Sequence, residues 1–368
     1  MQRRGVGLSR PMPSQPSGPS LHPRLNVEWL PGVLLMDPRC MLAAAVVLIA
    51  GACSSVPETA NGFRAAAKAI NDTIRANHYR PTELDNDRYR QIEGEVIGLG
   101  GTATSSEEFR AGFNGIWKQG PFSHVALLRA EETAAERYAR LDVMLAGEDA
   151  VTLAWRGDAA VLTVNTMSGA DTIERIEAAY DEIAARRTER LIIDLRRNSG
   201  GAFAVVPLVG HLIGEAVDAG VFVSGAWYRA HGTPPRQADF SSATPWRGYS
   251  VRAFQADVLS RPLTSYRIDP MVPHYPGPVY VLISARSISA AEIAADVLKA
   301  TGRATLIGEK TPGVVLSSKR FDIPGGFHLM VPIADYFSIE NGRIEGVGVA
   351  PDMVVDPDRA LDIALALK

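Results

Sequence analysis

The chain is predicted to fold as an α/β protein around a parallel sheet, with a small helical bundle ahead of it. Two stretches carry the sheet: Leu191-Ile192-Ile193-Asp194-Leu195 running on to Asn198-Ser199-Gly200-Gly201, and Val279-Tyr280-Val281-Leu282-Ile283 leading to Ser287-Ile288-Ser289-Ala290-Ala291-Glu292. Each reads as a buried strand, a turn, then a helix starting on small residues, and an apolar run of about five residues between turn residues fits a parallel strand. Two such units in one sheet bring both helix N-termini, with their unpaired N–H groups, to one crevice at the strand ends. The bundle is carried by helical periodicity and capping signals over residues 57–118.

Taken in order, residues 1–35 are rich in Pro, Ser and Arg without an apolar period. They are expected to be disordered, or untranslated if Met36 is the start. Residues 36–53 read as a leader: Arg39 supplies a positive region, Met41 to Ala50 an apolar one, and Gly51-Ala52 precede Cys53. The apolar run is too short for a stable span. Ending on a cysteine, it is similar to a bacterial lipoprotein signal, although Ala50 stands where Leu is commonest. A lipid on Cys53 would then anchor the protein on the periplasmic side of the cell envelope; an ordinary secretory signal is the alternative.

Residues 54–120 are assigned to the bundle: Phe63 to Ala76, Asp85 to Val96, and Glu107 to Trp117 behind a Ser105-Ser106 cap, with Gly98-Leu99-Gly100-Gly101 as a break. From residue 121 to the end at 368 the pattern is that of a catalytic core. Val125 to Leu128, Val151 to Trp155 and Ala160 to Val164 alternate as strands, the last two joined at Gly157-Asp158. Residues 171–187 form an amphipathic helix. Residues 232–276 lack a strong period and are expected to be an irregular insertion over the crevice. A strand at Ala304 to Ile307, a hairpin turning at Pro324-Gly325-Gly326, and a turn-rich segment with Glu345 complete the chain.

Composition excludes several classes. Of 368 residues 46% are hydrophobic and 21% charged, which is ordinary for globular proteins, and the net charge of -3 gives no basic balance for nucleic acid. The only cysteines are Cys40 and Cys53, so nothing beyond residue 53 can form a disulfide framework or thiolate metal site. No His-x-x-x-His pair occurs, and neither metal nor organic cofactor is expected.

Ser289 and Glu292 form a Ser-x-x-Glu, ordinarily a capping box. The preceding buried strand and the matching Gly-Gly turn favour a nucleophile instead, since a helix N-terminus stabilises developing negative charge. The Ala290 amide and that of Gly200 or Gly201 could then hold an oxyanion. A serine needs a base. His124 sits at an exposed loop-to-strand boundary, His211 mid-helix as a core residue, and His274 and His328 on the surface; composition does not choose among them.

Four motifs in order carry a resemblance: Asp194-Leu195-Arg196-x-Asn198-x-Gly200-Gly201, Ser289-Ala290-Ala291-Glu292, Gly308-Glu309-x-Thr311-x-Gly313, and Ile344-Glu345-Gly346-x-Gly348-Val349-x-Pro351-Asp352. Over roughly residues 120–356 the chain resembles the C-terminal processing (tail-specific) serine peptidases, in particular the branch with the tricorn protease core. The resemblance implies a ClpP/crotonase-like core of strand-strand-helix units, Ser289 as nucleophile, His124 as base, and Glu345 as its orienter, acting through Ser123. Lysine-using relatives carry a lysine where this chain has Val314; Lys310 and Lys319 are out of register, and Ser199 replaces a commoner proline or glycine. Too few residues separate His124 from Ala160 for the PDZ module of many relatives. The implied activity is cleavage of an extended polypeptide through an acyl-enzyme, with a homo-oligomer as an open option. A catalytically silent peptide- or ligand-binding lipoprotein, or an acyl-CoA enzyme, are the alternatives on the same fold.

Overall fold

The computed structural model describes residues 60–367, so the expected extension, leader and Cys53 lie outside the described residues. The described residues open on three helices: α1 (Ala60–Asn77), α2 (Asp87–Thr102) and α3 (Ser106–Trp117). The Asn86 side chain accepts from the Tyr89 N–H and Ser105 from the Glu108 N–H. Such caps contribute about 1 kcal/mol each. The glycine run 98–101 does not break the bundle as expected; α2 continues through it. A Cβ on Gly100 would lie 2.7 Å from the Ala67 Cβ and 2.8 Å from the Phe63 carbonyl, so the glycine permits close helix packing instead of ending the helix.

The chain then runs through β1 (Ala126–Arg129), α4 (Ala134–Leu141), the hairpin β2 (Val151–Arg156) and β3 (Ala159–Val164), and α5 (Ala170–Arg186). Thr133 and Glu136 form a capping box at α4. Next come β4 (Arg190–Asp194), the short α6 (Val205–Gly210), β5 (Val217–Ser224) and α7 (Gly225–His231). The expected insertion at 232–276 is not irregular: it holds β6 (Thr244–Trp246), α8 (Val251–Ser260) and the buried strand β7 (Leu263–Ile268). Its Pro, Ser and Arg content obscures the period, and pairing with β5 makes β7 a strand. Then follow β8 (Val279–Ile283), α9 (Ala290–Ala300), β9 (Thr305–Gly308), the hairpin β10 (Ser317–Ile323) and β11 (Phe327–Ser338), β12 (Gly342–Arg343), β13 (Met353–Val354) and α10 (Pro357–Ala366).

Two sheets result. One has the order β13-β9-β8-β4-β3-β2, parallel except for the β2–β3 hairpin, and it contains both strand–turn–helix units as neighbours, β4 beside β8. The other runs β1-β11-β5-β7-β6, with β10 and β12 also against β11. Leu191, Ile193, Val281 and Ile283 point into a core shared with α5, α6 and α9; Ile192, Tyr280 and Leu282 point the other way, toward α10. That alternation is the period of two of a strand covered on both faces. The helices α1–α3 share a third core with β1, β5, β10 and β11, centred on Phe109, Phe113 and Phe327. No helix among the described residues is long and apolar enough to cross a membrane.

His211 is a buried core residue, as expected, but it follows the end of α6 instead of sitting mid-helix, and it stacks on Tyr180 with ring centroids 4.4 Å apart. His328 is buried on β11, not exposed, with Nε2 3.1 Å from Asp322 across the hairpin. Cross-strand pairing, which single-residue polarity does not report, buries it.

Candidate active site

The turns after β4 and β8 are stitched together by side chains. Ser287 donates to the Leu195 carbonyl at 2.8 Å and Ser284 to the Arg196 carbonyl at 2.7 Å, while the Ile288 N–H donates to the Asn198 carbonyl at 3.1 Å. Asn198, fully buried, donates to the Val164 carbonyl at 2.9 Å and accepts the Gly200 N–H at 2.9 Å. This network holds the two turns face to face. A Cβ on Gly200 would lie 2.8 Å from the Ser289 Cβ, which only glycine avoids.

Ser289 is at φ 56°, ψ −118°. An ordinary helix-capping serine is extended; this conformation is sparsely populated and costs on the order of 1–3 kcal/mol. What holds it is Glu292. This fully buried carboxylate accepts the Ser289 N–H at 3.0 Å, the Thr311 hydroxyl at 2.6 Å, and the Gly313 and Val314 N–H groups at 2.7 and 2.8 Å. Burial pushes its carboxyl above the ordinary range, opposed by those hydrogen bonds. The Thr311 oxygen also accepts the Val349 N–H at 2.7 Å, so three of the four sequence motifs meet here. Sequence reasoning gave Glu292 only a capping role; its exact spacing from Ser289 was the available signal, but its other partners lie about twenty residues on.

His124, just before β1, also has positive φ, 61°. It is half-buried, less exposed than expected. Its Nδ1 is 2.7 Å from the Ser123 hydroxyl, the Ser123 N–H donates to Glu345 at 3.3 Å, and the other Glu345 oxygen accepts the Val315 N–H at 2.9 Å. Glu345 thus reaches the imidazole through Ser123. Burial lowers the His124 pKa, and the Glu345 charge pulls it back up.

Ser289, His124, Gly200, Gly201 and Ala290 line one cavity of about 500 Å³. Of the two glycine amides, that of Gly200 is taken by Asn198. Gly201 lies beside Met167, but the bonds there run from the Met167 N–H to the Gly200 carbonyl and from the Ala202 N–H to the Met167 carbonyl, leaving the Gly201 N–H outside the pairing. The Ala290 N–H belongs to the first turn of α9, which has no internal acceptor. Phe203, Phe222, Phe254 and Tyr266 form an aromatic wall. Lys310 is exposed and Lys319 lies over the Phe321 ring at 5.6 Å; neither lines the cavity. The interval between His124 and β3 holds β1, α4 and β2, with no further domain.

Comparison with known proteins fits this arrangement. A carboxyl-terminal-processing protease of Picosynechococcus is 28% identical over 180 residues, 48% of this chain and 34% of that protein. A chloroplastic C-terminal processing peptidase of Tetradesmus obliquus is 24% identical over 188 residues, 51% of this chain and 33% of that one. The matched segment therefore spans about a third of these relatives. Among solved structures, a candidate peptidase from Parabacteroides merdae has a TM-score of 0.56 at 15% identity, covering 83% of this chain and 96% of its own. A lipoprotein from Streptococcus agalactiae has a TM-score of 0.53 at 14% identity, with 83% and 95% covered. At such identity these establish the shared fold. Residues 158–355 match the sequence profile of peptidase family S41. That stretch exceeds half of the chain and includes both stitched turns, the Glu292 clamp and Glu345, and on it the protein belongs to peptidase family S41.

Proposed function

We propose that the protein is a serine peptidase that cleaves extended polypeptides through an acyl-enzyme on Ser289. The observation that carries this is the meeting of a hydroxyl held in strained backbone, an imidazole, and two amides outside the protein's own pairing on one cavity wall. Ser289 Oγ attacks the peptide carbonyl carbon while His124 Nε2 takes its proton. For Nε2 to be the acceptor, Nδ1 carries the hydrogen and donates it to the Ser123 hydroxyl. Glu345, set through Ser123, stabilises the imidazolium that forms. The Gly201 and Ala290 N–H groups receive the oxyanion, each worth about 3–4 kcal/mol in the transition state. Collapse expels the amine, protonated by His124, and water then clears the ester.

The substrate lies extended beside β10, which among the described residues pairs with β11 alone and whose Ser317 and Ser318, with Leu316 just before them, line the cavity. The aromatic wall favours an apolar side chain there. A signal ending at Cys53, with a lipid on that residue, would place the enzyme in the cell envelope. A fluorophosphonate probe tests the chemistry: wild type and Lys310→Ala label, whereas Ser289→Ala does not and His124→Ala labels orders of magnitude more slowly. Labelling of Ser289→Ala at the wild-type rate would dismiss the proposal in favour of a silent binding protein.

A further inference from the structure

The cavity holds a charge that the reaction does not use. Of its lining residues Arg320, on β10, is the sole permanently charged one, and none is Asp or Glu. The main-chain N–H of Arg320 donates to the Tyr138 hydroxyl at 2.7 Å, but its guanidinium has no hydrogen bond or ion pair among the described residues. The carboxylate whose charge acts on it, Glu132, is already shared by Arg137 at 3.8 Å and by Arg140, closer still. Two guanidinium groups thus already neutralise the one carboxylate whose charge reaches Arg320. Arg320 is half-buried, and burial with Arg137 nearby lowers its pKa, so this cation lacks the compensation that buried charge ordinarily finds. Strand alternation explains its direction: Ser318 and Arg320 share the cavity face, while Lys319 between them turns away onto Phe321.

We propose that Arg320 is a specificity residue that binds a carboxylate on the polypeptide in the cavity, a reading that rests on the peptidase function and narrows its substrate class. A guanidinium presents two parallel N–H donors to a carboxylate, and in an apolar cavity without competing acids the pair is strongly selective over a neutral amide. The carboxylate belongs either to the C-terminus of the chain or to an Asp or Glu side chain.

The test uses the Ser289→Ala protein, immobilised, and a pool of random octapeptides made as free acids and as C-terminal amides. Retained peptides are counted by mass spectrometry. Carboxylate-bearing peptides should be enriched about ten-fold or more over neutral counterparts, the gain of one charge-assisted bond. Acid over amide identifies the C-terminus; Glu over Gln within the amide pool identifies a side chain. Adding Arg320→Gln should level the two pools, and Arg320→Lys should restore part of the difference. No enrichment, or enrichment undiminished by Arg320→Gln, overturns the proposal; should that variant unfold by circular dichroism, a full preference in Arg320→Lys does so instead. If wild type fails to cleave the retained peptides, the peptidase function falls while recognition stands, because retention is read without the nucleophile.

Discussion

Replacing Glu292 by Gln tests whether the clamp positions the nucleophile. One carboxylate oxygen accepts the Thr311 hydroxyl and the Gly313 N–H, the other the Val314 and Ser289 N–H groups. A Gln amide has the same shape but supplies acceptors on one side only. With its NH₂ toward Val314 and Ser289, two buried donors face a donor. Flipped, it leaves the Gly313 N–H unmet and depends on the Thr311 hydroxyl, which already accepts from Val349. An unsatisfied buried donor costs about 1–3 kcal/mol, so one or two of them predict a loss of about 2–4 kcal/mol. For a domain of this size that is roughly a 3–6 °C fall in Tm. Because Ser289 is one of the tethered groups, kcat should fall ten-fold or more with KM changed far less. Calorimetry and steady-state turnover of a fluorogenic peptide read both. A Tm within a degree of wild type together with kcat within two-fold would refute the reasoning.

Three further outcomes follow from the same geometry. Glu345→Gln removes the charge that raises the His124 pKa, so the acidic limb of the kcat/KM profile should move to lower pH as the rate drops; an unmoved limb would contradict the link through Ser123. Gly201→Ala places a Cβ 2.3 Å from the Ser168 nitrogen and 2.4 Å from the Met167 carbonyl carbon, so labelling of Ser289 should be lost by displacement of the Gly201 amide, and unchanged labelling would refute its role. His78, buried just after α1 against Phe122, has its pKa lowered to about 4, chiefly by burial. Its folded pKa lies below the unfolded value, so the stability from keeping it neutral is present above pH about 6.5 and is lost as pH falls toward 4. Urea titrations should show up to about 3 kcal/mol of that loss, and His78→Leu should flatten the slope.

Much of the fold is legible locally. The strands at 151–156, 159–164, 190–194 and 279–283, and the helix behind Ser289, stand where their apolar runs and turn residues put them. The α/β class follows, because parallel strands buried on both faces need continuous apolar runs. Where the reading differs, a distant partner decides. The glycines of α2 are read as a break until the Phe63 carbonyl lies against Gly100. The strand β7 is hidden by its flanking composition until β5 pairs with it.

The chain by itself determined the order of the motifs, the class of the sheet, and which serine stands at a helix start, all properties of residues a few positions apart. Only the tertiary structure decided which amides at the crevice stay outside the protein's own hydrogen bonding, since Asn198 occupies Gly200 through a folded turn. It also decided what Glu292 holds, and that Arg320 faces the cavity unpaired. Hydrogen-bond satisfaction is a property of neighbours in space; here the decisive ones lie up to 222 residues apart, as between Ser123 and Glu345.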